Sequence, residues 1–221
     1  MAKDNSSEIL NTAKDLYLKA DYESALETIR EGRDDLDPGL FHYNLGSLHL
    51  KKNELGPARL HLEKAKKESF SFPMVYKNLD IVIAQPQVYD PTKSKDILES
   101  STAKVLDTPV IFFFILAAVI CSAGLLAVRK NLLKSIATAS LVLILGIVPL
   151  STKMILDNLY SSAIVLKTVR VFEGPSQVFT DYGEIAEGSR VIIGESKADW
   201  YYVISPKAIQ GWVPKADIAF Y

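Results

Sequence analysis

The chain has one cysteine, Cys121, in 221 residues. A single thiol excludes an internal disulfide framework and any multi-cysteine zinc or iron–sulfur centre. Histidine is almost as scarce: His42, His49 and His61 are the three, and all fall in one stretch. His42 and His49, seven residues apart, share a helix face, with His61 on the following helix. No carboxylate or thiol in the sequence obviously completes a ligand set, so ordinary packing is the expectation and no metal is assigned. Neither sign of charge dominates, with 25 Lys plus Arg against 26 Asp plus Glu. That balance excludes a strongly basic nucleic-acid binder and an acidic tail protein. There is no Gly-rich phosphate loop, because GEIAEG (183–188) lacks the Lys-Ser/Thr ending such a loop needs. Nucleophile-elbow and zinc-helix motifs are missing as well. A cysteine hydrolase needs a Cys–His pair, but Cys121 lies in an apolar run far from every histidine. The sequence therefore reads as a non-enzymatic protein without a cofactor.

What is there divides into three compositions. Residues 1–108 carry 15 Lys/Arg and 18 Asp/Glu and read as a polar helical segment. Residues 109–128, PVIFFFILAAVICSAGLLAV, carry no charge. At a rise of ~1.5 Å per residue such a run spans about 30 Å, the thickness of a bilayer's hydrocarbon core. A short basic loop (129–134) with Arg129, Lys130 and Lys134 follows, and then a second apolar run over 135–156 that contains Pro149 and Lys153. The pair predicts a transmembrane helical hairpin, because helices satisfy their own backbone polar groups in lipid. Pro149 should loosen the second span locally. Residues 85–108, with Pro86 and Pro91, read as a linker holding a short amphipathic helix around Lys95–Leu106. From 163 to 221, β-branched and aromatic residues alternate with Gly and Pro at turn-like intervals, which predicts short antiparallel strands.

Short loops rich in Lys and Arg stay in the cytoplasm. The hairpin then places residues 1–84 and 163–221 together outside, in the periplasm of a bacterial inner membrane. The start, MAKDNSSEIL, lacks the apolar core of a signal peptide. We read the chain as beginning after a removed leader rather than as inverted, since inversion would export the basic loop.

The helical segment repeats with a spacing of 33 residues: Ala13 matches Gly46, Ala25 matches Ala58, Ile29 matches Leu62 and Gly32 matches Ala65. A fixed period of this length marks a solenoid of helix pairs. The segment FHYNLGSLHLKKNELGPARLHLEKA (41–65) resembles tetratricopeptide repeats through Leu45, Gly46, Ala58, Leu62 and Ala65. A weaker copy occupies 13–29, and Asn78-Leu79 echoes Asn44-Leu45 in a capping helix. That resemblance implies a concave groove for a partner protein, with Leu10, Lys14, Tyr17, Tyr43, Ser47 and Leu50 as its lining. The paired Lys and Asn set with which similar proteins clamp a C-terminal carboxylate is not recognised here, so chaperone docking of that type is not expected.

In the C-terminal part, VRVFEGPS (169–176), GEIAEGSRVII (183–193), DWYYVI (199–204) and GWVPKADI (211–218) resemble a bacterial SH3-like β-barrel. Val191, Ile193, Trp200, Tyr202 and Val203 are expected to supply its interior and rim. Both Trp200 and Trp212 suit the core by size, and with Tyr182 and Tyr201 they are also the candidate recognition surface for peptide or glycan.

The whole order is similar to BatE-type membrane proteins of bacterial aerotolerance operons: two tetratricopeptide-like repeats with a capping helix, a two-helix transmembrane hairpin, and a small SH3-like barrel. The resemblance implies a multidomain membrane scaffold. Its partners would be von Willebrand factor A-type membrane proteins and, indirectly, a MoxR-type AAA+ ATPase, in oxidative-stress or envelope homeostasis. The alternative function is a cell-wall sensor or anchor that binds peptidoglycan through the β module.

Overall fold

The computed structural model describes residues 2–68, 73–130 and 136–221. They form two compact units, Met1–Pro91 with Ser162–Tyr221, and Thr92–Ser161. The first joins helices to a sheet and the second is helical.

The first unit begins with five helices: α1 (Ala2–Leu18), α2 (Tyr22–Glu31), α3 (Pro38–Lys51), α4 (Leu55–Lys67) and α5 (Pro73–Ile83). Local chemistry sets the boundaries. Asp21 caps α2 by accepting from the Ser24 N–H, and Asp37 caps α3 by accepting from the Leu40 N–H just ahead of Pro38. The turns after α1 and α3 are copies of one another. Ala20 and Asn53 both adopt positive φ, 59° and 60°. The Asp21 N–H then bonds to the Leu16 carbonyl and the Glu54 N–H to the His49 carbonyl, each at 3.0 Å. The repeat positions meet inside. Ala25, Leu26 and Ile29 pack with Ala13 and Leu45, while Ala58, Leu62 and Ala65 pack with Val75, Leu79 and Val82. Gly46 fits because a Cβ there would come within 2.7 Å of Leu62.

The same unit ends in seven strands: β1 (Ser161–Val165), β2 (Val169–Phe172), β3 (Asp181–Ile185), β4 (Arg190–Lys197), β5 (Trp200–Ser205), β6 (Gly211–Pro214) and β7 (Ile218–Phe220). They form one open antiparallel sheet in the order β3-β2-β6-β5-β4-β1-β7, with β3 and β7 at the edges. Bulges interrupt the register at Val171/Phe172 and on both sides of Ile193, which bends and twists the strands locally. Val165, Val171, Val191, Val203 and Val213 fill one face and are fully buried.

Helices and sheet are joined by buried contacts. The Gly56 N–H donates to the Glu187 carboxylate at 2.9 Å, and a Cβ on Gly56 would come within 2.4 Å of the Leu166 carbonyl. Gly188 holds φ +77° directly against Leu55, a pairing of conformation and proximity open to glycine alone. The side chain of Arg59, fully buried, donates to the Gly188 carbonyl at 2.8 Å and pairs with Asp90, which also faces Arg190 at 3.7 Å. Between them runs Val88–Asp90. Its Tyr89 accepts from the Arg190 N–H at 2.9 Å and donates its own N–H to the Ser189 hydroxyl at 3.0 Å. Val88 and Asp90 are buried, so this stretch, read from sequence as the start of a linker, belongs to the packed unit. Its two partner surfaces are remote in sequence, and local composition does not register them.

The second unit comprises α6 (Ile97–Asp107), α7 (Val110–Arg129) and α8 (Ile136–Leu159). Two of its helical stretches, Val110–Arg129 and Ser140–Leu159, are long and apolar enough to cross a membrane. Small residues bring the pair together, with Gly124 against Val142 and Gly146 against Cys121. The second stretch lies a few residues further on than the 135–156 read from sequence. Lys153 explains why its charge does not end the helix. The side chain is 3% exposed, with Nζ donating to the Leu106 carbonyl at 3.0 Å and to Asp157 at 2.6 Å. The helix α8 continues through Pro149. Of the basic loop, Arg129 ends α7 and Lys130 follows it, donating its N–H to the Leu126 carbonyl. Lys134 lies outside the described residues.

Candidate functional site

Three helices of the first unit turn matched faces toward one cavity of ≈ 620 Å³. From α1 come Leu10, Ala13, Lys14 and Tyr17; from α3, Tyr43, Asn44, Ser47, Leu48, Leu50 and Lys51. Spacings of three, four and seven residues place side chains on one side of a helix, and the same spacings recur in each element. All six residues expected from sequence (Leu10, Lys14, Tyr17, Tyr43, Ser47 and Leu50) lie on this lining.

The third wall was not read from sequence. It comes from α5, through Met74, Lys77, Asn78 and Ile81, and from Gln85 just beyond its end. The signal was present in the Asn78 echo of Asn44: the step between them is 34 residues rather than 33. Carried along α3, that step turns Tyr43, Asn44, Ser47 and Lys51 into Lys77, Asn78, Ile81 and Gln85. An Asn78 side-chain N–H donates to the Ser47 hydroxyl at 3.0 Å and ties the two walls together.

Apolar side chains form the floor, and Met74 and Ile81 remain 38% and 43% exposed. Lys14, Lys51 and Lys77 stand at the rim, one from each helix, and no Asp or Glu is among the described lining residues. Lys51 is held over the Tyr17 ring, 5.7 Å from its centroid, and the Tyr17 hydroxyl raises its pKa.

The three histidines gather between α3 and α4. His42 Nδ1 lies 3.0 Å from His61 Nδ1, and the rings of His49 and His61 stack at 5.7 Å. His49 Nδ1 faces away from a shared centre, onto the Glu54 carboxylate at 2.6 Å. Burial, then the charges of His42 and His49, pushes the His61 pKa down to about 3. Burial also lowers His42 and His49, the latter against the opposing pull of Glu54. Among the described residues no set of three or more His, Cys, Asp or Glu groups is placed to hold a metal ion.

On the sheet, strand alternation separates two faces. Val171, Val203 and Val213 point to the core, and Phe172, Tyr202 and Trp212 take the intervening positions. Register makes these last three direct cross-strand neighbours, with Trp200 opposite Pro214 beside them. The rings of Tyr202 and Trp212 meet edge to face at 5.3 Å, and those of Phe172 and Trp200 at 5.5 Å. Tyr182, 47% exposed, reaches Gly211 with its hydroxyl. Burial raises its pKa, followed by Tyr202 and Glu173.

This corrects two expectations. Trp200, Trp212 and Tyr202 are half-buried on the face away from the core, not in the interior. Valines meet the core because the strand parity puts them there, and the register leaves the larger rings outside. Tyr201 leaves the expected surface, because one residue's displacement reverses its side: it packs on the core beside Val203, with Lys215 over its ring at 5.0 Å.

Comparison with protein-family models, curated proteins and solved structures yields no match for this chain.

Proposed function

We propose that this protein is a non-enzymatic membrane scaffold that docks a segment of a partner protein in the groove of α1, α3 and α5. The observation that carries the reading is the triple repetition of one lining face around a single cavity. A helix or extended strand laid across such a groove is a recurrent mode of protein recognition. On this reading α1–α5 are tetratricopeptide-like repeats and the sheet is a bacterial SH3-like barrel whose aromatic face offers a second contact. Both belong to one compact unit, which the hairpin tethers to a bacterial inner membrane. Tethering raises the effective concentration of two weak contacts. The overall order supports a place in a Bat-type assembly with von Willebrand factor A-type partners and a MoxR-type ATPase.

The groove is tested by photo-crosslinking in intact membranes containing a candidate von Willebrand factor A-type partner. Crosslinkers at Leu10 and Ile81 are expected to capture that partner, and one at Tyr76, exposed on α5 but off the lining, to leave it free. Equal capture from Tyr76, or none from the groove positions, overturns the proposal.

The aromatic face favours a second reading, a cell-wall sensor. Neighbouring Trp and Tyr rings give flat apolar surfaces with polar edges, suited to stacking against sugar rings of peptidoglycan. Sedimentation of the detergent-solubilised full chain with purified sacculi, lost in Trp200→Ala/Trp212→Ala, supports this reading. No co-sedimentation removes it.

A further inference from the structure

The segment ahead of the first long apolar helix carries a surface that neither the groove nor the sheet uses. Residues 92–108 hold Lys93, Lys95 and Lys104 against Asp96, Glu99 and Asp107, so the stretch is formally neutral. The structure divides those charges unequally. Asp96 and Asp107 stay exposed, Asp96 accepting from the Glu99 N–H at 2.9 Å as the cap of α6. Glu99 is 7% exposed and accepts from the Ser94 hydroxyl. The three lysines are exposed, and none stands in an ion pair with a described carboxylate.

Beside them, Ile97 and Leu98 are 82% and 69% exposed in the first turn of α6. Two large aliphatic side chains left open next to unpaired cations call for an apolar cover with negative charge at its edge. The other end of α6 shows where that cover lies. The Leu106 carbonyl accepts from Lys153 of α8, and α7 starts at Val110, only a short step beyond Asp107. The patch thus lies on the helix whose other end adjoins the two helices that are long and apolar enough to cross a bilayer.

We propose that Lys93–Lys104 is an interfacial anchor for anionic lipid. Ile97 and Leu98 enter the acyl boundary, and Lys93, Lys95 and Lys104 contact phosphate-bearing headgroups. Apolar burial and attraction to anionic headgroups act together in such helices. The proposal rests on the membrane reading of α7 and α8 and is independent of what the groove binds.

The test uses the full chain with Cys121→Ser, reconstituted in nanodiscs of phosphatidylcholine alone or mixed with phosphatidylglycerol. A fluorescent NBD label is placed at Leu98→Cys or, as a depth control within α7, at Leu126→Cys, and quenched by nitroxide-bearing lipid. The expected result is a blue shift and quenching at 98 that increase with phosphatidylglycerol. Lys93→Glu/Lys95→Glu/Lys104→Glu should remove that increase while leaving 126 quenched. With 126 quenched, three results overturn the anchor: an unquenched 98, equal quenching in both lipids, or an unaffected charge-reversal variant. If 126 itself escapes quenching, the membrane reading fails and the anchor falls with it.

Discussion

His61 has its pKa lowered strongly, and burial is the first cause. A folded-state pKa of about 3 lies far below the ordinary value for an unfolded chain, about 6.5. The unfolded chain therefore takes up a proton that the folded one refuses, and unfolding gains as acid is added. Stability from this residue is complete above about pH 6.5 and declines as pH falls towards 3, by up to about 1.4 kcal/mol per pH unit. His42 and His49 are lowered too and work in the same direction. The charges facing the cluster are mixed. Glu54 and Glu68 favour protonation, and Lys64, Lys52, Arg30 and Arg33 oppose it. Urea titrations of the detergent-solubilised chain at pH 7.5 and 5, followed by tryptophan fluorescence, should show lower stability at pH 5. His61→Gln should flatten that difference, whereas an unchanged difference would assign the acid sensitivity elsewhere.

Among elements, the contact between α4 and the strands rests on a buried charge set. Asp90 stands between two buried guanidinium groups, those of Arg59 and Arg190. Asp90→Ala would leave two buried cations without the carboxylate between them, with Glu63 3.9 Å from Arg59. Breaking a buried charge set by removing one partner costs about 3–5 kcal/mol. Hydrogen exchange at the Arg190 amide, which bonds to Tyr89, should accelerate sharply in Asp90→Ala. Unchanged protection there would show that the interface does not depend on the charge set. These partners explain what sequence could and could not convey. The paired helices were legible because Ala25 and Ala58, or Ile29 and Leu62, carry the same packing chemistry one period apart. The lining on α1 and α3 came from the resemblance to tetratricopeptide repeats, and α5, whose Asn78 echo was read as a cap, was not counted as a wall. Arg59, Asp90 and Arg190 follow no period and are far apart in the chain, so only the folded structure brings them together. Trp200 and Trp212 show a further gap. Alternation marks two faces in the sequence, but only the register tells which one turns inward.

At the scale of the molecule, the compact unit is split by the helices that are apolar enough to cross a membrane. Met1–Pro91 and Ser162–Tyr221 pack as one body, and both candidate spans lie between them in sequence. On the membrane reading, two parts of one folded body occupy the same side of the bilayer, so the number of crossings between them must be even, and the two candidate spans satisfy this. On the proposed orientation the connection at Arg129 and Lys130 faces the cytoplasm, as short basic loops do. Alkaline phosphatase fused after Tyr221 should then be active in cells, and a fluorescent protein that matures only in the cytoplasm should stay dark there. The reverse pattern would invert the orientation.

The split also imposes an order on biosynthesis. The ribosome delivers α1–α5 and the Val88–Asp90 strap first, then the apolar helices, and only afterwards the Gly188 carbonyl that Arg59 requires. Until β4 emerges, Arg59 lacks its lid and the stack stays unsealed. Completion of the fold therefore requires that everything between Pro91 and Ser162 has already been made. A nascent chain stalled within the two apolar helices would present an open Leu55–Arg59 surface to proteases, and a finished one would not.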